Sequence, residues 1–219
     1  MGARNRFIPA LLVALLGSAM LWGTLGYAAY FRSDCYRRKT AAQLARFFQL
    51  PVEIGRVEPH TFHSRVFRDV SIWLPDRRDR VFFCPAAIWR EAGPSARPDI
   101  FLDLAGGTLT IGSESWLPED YRYILRSALT ENLSRVSLRR VLLHGMELVW
   151  PKGSGHIVAE GVTGEIAFHD NQHGDATFIS RRLNGYEVTE PIHIYARVQP
   201  GQQDFLPEVQ LTVPRLPIA

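Results

Sequence analysis

Ile192-His193-Ile194-Tyr195-Ala196-Arg197-Val198-Gln199 puts an apolar residue at every second position. A side-chain period of two belongs to a β-strand with one face turned away from water. Similar patterns recur along the chain. Val52-Glu53-Ile54-Gly55-Arg56-Val57 alternates, and so does Val66–Leu74, where Val66, Val70, Ile72 and Leu74 are assigned to one face. Phe67, Asp69, Ser71 and Trp73 go to the other. Ile100, Leu102 and Leu104 alternate with Phe101 and Asp103, and Gly106-Gly107 leads into Thr108–Ile111. Val136, Leu138 and Leu142 share a face, and Met146, Leu148 and Trp150 follow after Gly145. Val162, Ile166 and Phe168, then Phe178, and finally Val209, Leu211 and Val213 complete the set. Roughly nine or ten short strands with one apolar face each predict a mainly β fold. The expected architecture is an antiparallel sheet, either an open groove or a sandwich, and not a doubly wound parallel sheet.

One or two short helices accompany the strands. Leu44, Phe47 and Phe48 recur at helical spacing between Asp34 and Leu50, and Pro51 ends that run. Pro118–Leu129 opens with a proline and two acids, and Ile124, Leu125, Ala128 and Leu129 make its apolar stripe. Ala92–Pro98 is rich in glycine and proline and reads as a loop.

Upstream of the strands, Phe7 to Phe31 is 25 residues without a charge. As a helix rising ~1.5 Å per residue it reaches about 37 Å, enough to cross a ~30 Å hydrocarbon core. Trp22, Tyr27, Tyr30 and Phe31 crowd its C-terminal end like an interfacial aromatic belt. The expected organisation is a signal-anchor transmembrane helix over residues 1–31, an amphipathic connecting helix over 32–50 and a β-rich domain over 51–219. A cleaved signal peptide is the competing reading, with Arg4 and Arg6 as its basic start and Gly26-Tyr27-Ala28 as its cleavage site. The apolar stretch is, however, longer than a signal core of ~7–15 residues. A buried core helix is the third reading. Orientation draws on opposed signals. Arg32, Arg37, Arg38, Lys39 and Arg46 on the long side favour a cytoplasmic body by the positive-inside rule. A basic pair followed at once by an apolar run is how export signals begin. The expectation is a single pass through the inner (cytoplasmic) membrane with the body in the periplasm.

Charge and length narrow the function classes. The 219 residues suit one domain with an appendage. The chain carries 25 Lys+Arg and 22 Asp+Glu. Seven of the basic residues lie in the first 50, where Asp34 is the sole acid, so the rest holds 18 basic and 21 acidic residues. A mildly acidic body argues against a broad nucleic-acid footprint.

The anchor, the short helix, Leu50-Pro-Val-Glu-Ile-Gly-Arg-Val57 and Phe67-Arg-Asp-Val-Ser-Ile72 together resemble the start of AsmA-like proteins. These are bacterial relatives of TamB and of the chorein-type bridge lipid carriers. Val141–Trp150 and Gly161–Phe168 are similar to their strand texture. The resemblance covers the chain loosely, is best over residues 7–74 and includes no catalytic signature. It implies a half-open β-groove with an apolar inside, facing the envelope space and serving lipid handling or outer-membrane homeostasis. Members of the family are usually several times longer. Ten strands at ~4.8 Å spacing give a sheet of roughly 45–50 Å, so one copy is not expected to bridge two membranes. A stub, an accessory subunit or one module of an assembly fits better.

Chemistry-bearing motifs are sparse. The sequence has no nucleophile elbow, P-loop, dinucleotide fingerprint or zincin helix. His169-Asp-Asn-Gln-His-Gly-Asp175 offers metal-ligand types, but a polar Asn/Gly turn between two strands explains it as well. His60-Thr-Phe-His63 carries the same two readings. Cys35 and Cys84 are the only cysteines, and a disulfide between them is one option beside two free thiols. The basic group Arg32, Arg37, Arg38 and Lys39 either touches anionic headgroups or merely flanks the membrane helix. Phe67, Trp73, Phe83 and Trp89 are assigned outward, lining a lipid- or partner-facing surface or forming the second layer of a sandwich core. No catalytic residue, metal or cofactor is assigned. The expected function is non-enzymatic binding of membrane lipid, or of an envelope assembly partner, along an apolar face. Val66, Val70, Ile72, Leu102, Leu104, Val162, Ile166, Ile192 and Ile194 are expected to line that face. A bitopic scaffold subunit of a secretion or export machine, recruited by strand addition, is the alternative. A metal-dependent hydrolase built on the histidines is the third reading.

Overall fold

The computed structural model describes residues 4–48, 50–61, 63–75, 79–93, 99–110, 137–152, 155–168, 174–198 and 208–212. Two helices, α1 (Arg4–Arg32) and α2 (Asp34–Phe48), precede the strands. The strands are β1 (Val52–Thr61), β2 (Ser64–Trp73), β3 (Arg80–Ala92), β4 (Asp99–Ala105) and β5 (Thr108–Thr110). They continue with β6 (Ser137–Lys152), β7 (Gly155–Phe168), β8 (Gly174–Leu183), β9 (Tyr186–Val198) and β10 (Glu208–Thr212). All ten belong to one sheet, so the fold is mainly β.

β4 and β5 are two halves of one bent strand, because β3 flanks both on one side and β6 flanks both on the other. Strand order then follows chain order from β1 to β10. Every neighbouring pair is antiparallel except the β4–β6 and β5–β6 pairs, which are parallel. The sheet is therefore mixed, where alternation alone predicts an antiparallel one. A parallel pair needs a crossover of a dozen or more residues, and residues 111–136 supply it. The helix expected at Pro118–Leu129 falls in that segment, outside the described residues.

β3 is a strand that alternation does not reveal. Pro85 interrupts it, and proline is confined to places where no ladder hydrogen bond is needed. Pro85 meets that condition by lying opposite Gly106, in the break between β4 and β5.

That break is part of a line of kinks running across the sheet. Asp69 in β2 has φ 53°, and Gly106, Gly107, Gly145 and Gly161 have φ between 62° and 102°. At this line inward residues are three apart instead of two: Ile54 and Val57, Phe67 and Val70, Cys84 and Ala87, Leu143 and Met146, Ala159 and Val162. A residue in the left-handed region bends the strand and exchanges its faces beyond the bend. The exchange overturns the face assignments of Phe67, Trp89 and Val66. Phe67 is buried beside Val70 and Trp89 packs against the same cluster, while a separate register shift beside Arg139 leaves Leu143 buried where Leu142 was expected. Val66 goes to the opposite face, with Glu58 and Ile88 as its partners in register.

The two helices are broken at a single residue. Ser33 caps α2: its Oγ accepts the Tyr36 amide at 3.2 Å, and Asp34 sits in the first turn where the helix dipole favours an acid. α2 then runs back along β1 and lays Tyr36, Ala41, Leu44 and Ala45 over the inner face of β1–β3. Among the described residues no helix is long and apolar enough to cross a membrane. Side chains of α1 are described from Ser18 onward.

Gly107 is the tightest point of the kink line. A Cβ there would lie 2.0 Å from the Phe83 carbonyl oxygen, in a backbone with φ +102°. Gly107→Ala is expected to destabilise the fold by about 3 kcal/mol or more, combining strain and a backbone clash. Gly145→Ala has the same sign of φ but empty space around its Cβ, and is expected to cost about 1 kcal/mol. Urea unfolding of the two variants checks the ranking.

Candidate functional site

Backbone register lines up one residue from each strand across the whole sheet. Val57, Phe67, Ala87, Leu104, Leu143, Gly164, Phe178, Ile194 and Leu211 are successive cross-strand partners. Every one is apolar or glycine. Gly164 is the narrow member, because a Cβ on it would sit 2.6 Å from the Phe178 ring. A second row, Trp89, Leu102, Val141, Ile166, Ala176, Ala196 and Val209, runs beside the first. Together they form an apolar stripe perpendicular to the strands.

Burial along the stripe is uneven. Met146 and Val162, on the kink line, are 0 % exposed. Leu102, Leu104, Ile166, Phe168 and Phe178, packed against that centre, are only partly buried. At the β1–β3 end α2 covers the stripe. Of the nine residues expected on an apolar face, Val70, Ile72, Leu102, Leu104, Val162, Ile166, Ile192 and Ile194 pack into the two inner clusters. Val66 is also buried, at 9 % exposure, but belongs to neither cluster and lies on the opposite face beyond the Asp69 kink.

The outward aromatics divide. Phe67 and Trp89 meet edge to face on the inside at 6.2 Å. Trp73 and Phe83 remain outside, with the Arg80 guanidinium 5.9 Å and 4.6 Å from their ring centres. Of the membrane-flanking cations, Arg32, Arg38 and Lys39 are exposed. Arg37 is held by Asp34 at 3.0 Å and donates to the Ile54 carbonyl at 3.3 Å, which ties α2 to β1.

A joint with no local sequence signature fixes α1 to the sheet. Phe31 is buried among Tyr27, Tyr30 and Tyr36, at 4.5 Å from the Tyr27 and Tyr36 ring centres and 5.4 Å from Tyr30. The Arg65 guanidinium lies 5.3 Å from the Phe31 centroid and 6.0 Å from that of Tyr36. Glu91 accepts from Arg65 at 3.3 Å and from the Trp89 indole at 2.9 Å. These partners come from α1, α2, β2 and β3, so no local motif signals them. Next to the joint, α1 and the end of β1 leave a groove of 790 Å³ lined by Met20, Gly23, Thr24, Tyr27, Pro59, His60 and Thr61.

Among the described residues, chemistry-bearing groups do not converge. A shallow 590 Å³ groove on the outer face includes His144, Glu160 and Glu165. Its acids are engaged, Glu160 with Arg182 at 3.7 Å and Glu165 with Arg140 at 2.7 Å. Among the described residues no three His, Cys, Asp or Glu side chains group as a metal site. His169 and His173 lie outside the described residues. Asp175 of the same sequence cluster accepts the Tyr195 hydroxyl at 2.9 Å. Cys35 is exposed and Cys84 buried, and neither is in a disulfide.

Arg65→Ala is expected to loosen the α1–sheet joint, seen as at least about ten-fold faster amide exchange in residues 27–36, given that interactions of this kind contribute about 1–2 kcal/mol. Arg65→Lys is expected to restore little, since an ammonium does not stack or fork as a guanidinium does. Stability also falls at high pH. Burial pushes the Cys84 thiol above its ordinary value, and burial does the same to the Tyr36 hydroxyl. Both neutral forms are favoured in the fold, so their contribution is full below the unfolded values of about 8.5 and 10 and is lost as pH rises past them. Urea unfolding from pH 7 to 10.5 is expected to show this loss, and Cys84→Ala is expected to flatten its lower-pH part.

The chain matches no family model, no curated protein and no solved structure.

Proposed function

We propose that this chain is a single-pass, membrane-anchored, non-enzymatic envelope protein that binds lipid along the inner face of its sheet, in the manner of AsmA-like proteins. The observation that carries this reading is the row from Val57 to Leu211, which crosses every strand position without a charge or a hydrogen-bonding side chain. Nine strand positions at ~4.8 Å span roughly 38 Å, more than the half-thickness of a ~30 Å hydrocarbon core that one acyl chain fills. A chain lying across the strands is held by apolar burial at about 25 cal/mol per Å², with no chemical step.

Support for the anchor comes from the uncharged run Phe7–Phe31, which lies within the continuous 29-residue helix α1. Met20 and Trp22 on that helix are 74 % and 73 % exposed, which apolar side chains of this size tolerate poorly in water. An inner-membrane location with the body in the periplasm follows from reading this run as an export signal that is retained. The scaffold reading draws on a different observation, the 0 % exposure of Met146 and Val162, which is how a filled core behaves. There the outer edge of β10 would recruit a partner by strand addition.

Native mass spectrometry of the detergent-extracted protein tests the choice. Retained phospholipid is the expected result. A stoichiometric protein partner with no lipid would overturn it in favour of the scaffold. Leu102→Gln together with Ile166→Gln, two partly buried positions joined in register through Val141, is expected to lower lipid retention about ten-fold or more, because an amide set against hydrocarbon costs about 1–3 kcal/mol.

A further inference from the structure

The groove between α1 and the end of β1 belongs to neither inner cluster. One of its walls is part of the uncharged run itself: Met20, Gly23, Thr24 and Tyr27. The other wall is Pro59, His60 and Thr61, the last residues of β1 before the turn into β2. Thr24 on the α1 wall turns its hydroxyl back to the Leu21 carbonyl at 2.9 Å, so that donor is spent within the helix. A Cβ added at Gly23 would meet nothing within 4 Å, so the slot is open beside the helix backbone.

Depth follows from helix geometry. Met20 to Arg32 is twelve steps of ~1.5 Å, about 18 Å along the helix axis. If Arg32 lies at the headgroups, the part of the groove near Met20 reaches the hydrocarbon. In backbone register Pro59 pairs with Arg65 and Arg65 with Trp89, so the groove lies two strands from the first member of the second apolar row.

We propose that this groove seats an acyl chain of a phospholipid drawn out of the membrane that α1 enters. The proposal rests on the anchor reading above. The occupant is fixed by continuity, because the wall and the anchor are the same residues and a chain leaving the bilayer meets this slot before it meets the sheet. The missing side chain at Gly23 leaves the slot its width.

The test is contact with acyl chains. Thr61→Cys on a Cys35→Ser background takes a bimane label, while buried Cys84 stays unreactive. The full chain is reconstituted into phosphatidylethanolamine–phosphatidylglycerol vesicles containing phospholipid with a nitroxide on its acyl chain. The bimane at Thr61 is expected to be quenched at least about two-fold, comparably to one at Leu21→Cys and unlike one at the exposed Tyr186→Cys. Gly23→Phe, which fills the slot, is expected to remove most of the quenching at Thr61 and leave that at Leu21. Quenching at Leu21 without quenching at Thr61 overturns the groove proposal and spares the anchor. So does quenching at Thr61 that survives Gly23→Phe, since the contact is then with bulk lipid. No quenching at either position overturns the anchor and the groove together.

Discussion

Gly107 presses against the backbone of Phe83 closely enough that only a hydrogen fits between them. That contact holds the break between β4 and β5 inside the sheet, where Gly106 donates to the His144 carbonyl and Glu147 donates to the Gly107 carbonyl, both at 2.8 Å. The ladder is thus carried across the kink instead of ending at it. Neighbouring strands must bend at the same height or lose their pairing, and Asp69, Gly145 and Gly161 bend there too. A sheet of this width cannot bury its own apolar side if it stays flat. The kink line is where it turns inward, and Met146, Val162 and Cys84, all 0 % exposed, lie along it.

How far the sequence exposes this arrangement depends on which kind of order is involved. Alternation locates most strands, because period two is a local property that tertiary context seldom disguises. It misplaces faces wherever a kink intervenes. Asp69 offers no warning, since aspartate enters the left-handed region less readily than glycine and sits inside a regular-looking run. Counting by twos from Val70 therefore puts Val66 on the inner face and Phe67 on the outer, whereas the bent strand exchanges those faces and buries both residues. β3 is hidden for another reason: Pro85 reads as a strand breaker unless one knows that its neighbour is interrupted at the same level.

The site shows the same division. Its apolar residues are visible one strand at a time, and eight of the nine singled out lie on the inner side. Their alignment into continuous rows is a matter of register, which hairpin lengths and kinks decide and residue type does not. The joint of Arg65 with Phe31, Tyr36 and Glu91 is less legible still. Its partners are separated by up to sixty positions and share no spacing rule. Aromatic crowding at the end of α1 fits a membrane belt and a packing joint alike, and Phe31 serves the second.

The parallel seam between β4–β5 and β6 divides the sheet into two runs of nearest-neighbour hairpins, β1 to β5 and β6 to β10. Contacts within each run are short-range along the chain and close small loops. Contacts across the seam must first close a loop through residues 111–136, whose entropy grows with its length. Contact order therefore concentrates in one place, and the two halves can assemble separately before docking edge to edge. An architecture assembled this way lengthens easily, since further hairpins added beyond β10 leave the seam and its folding order untouched.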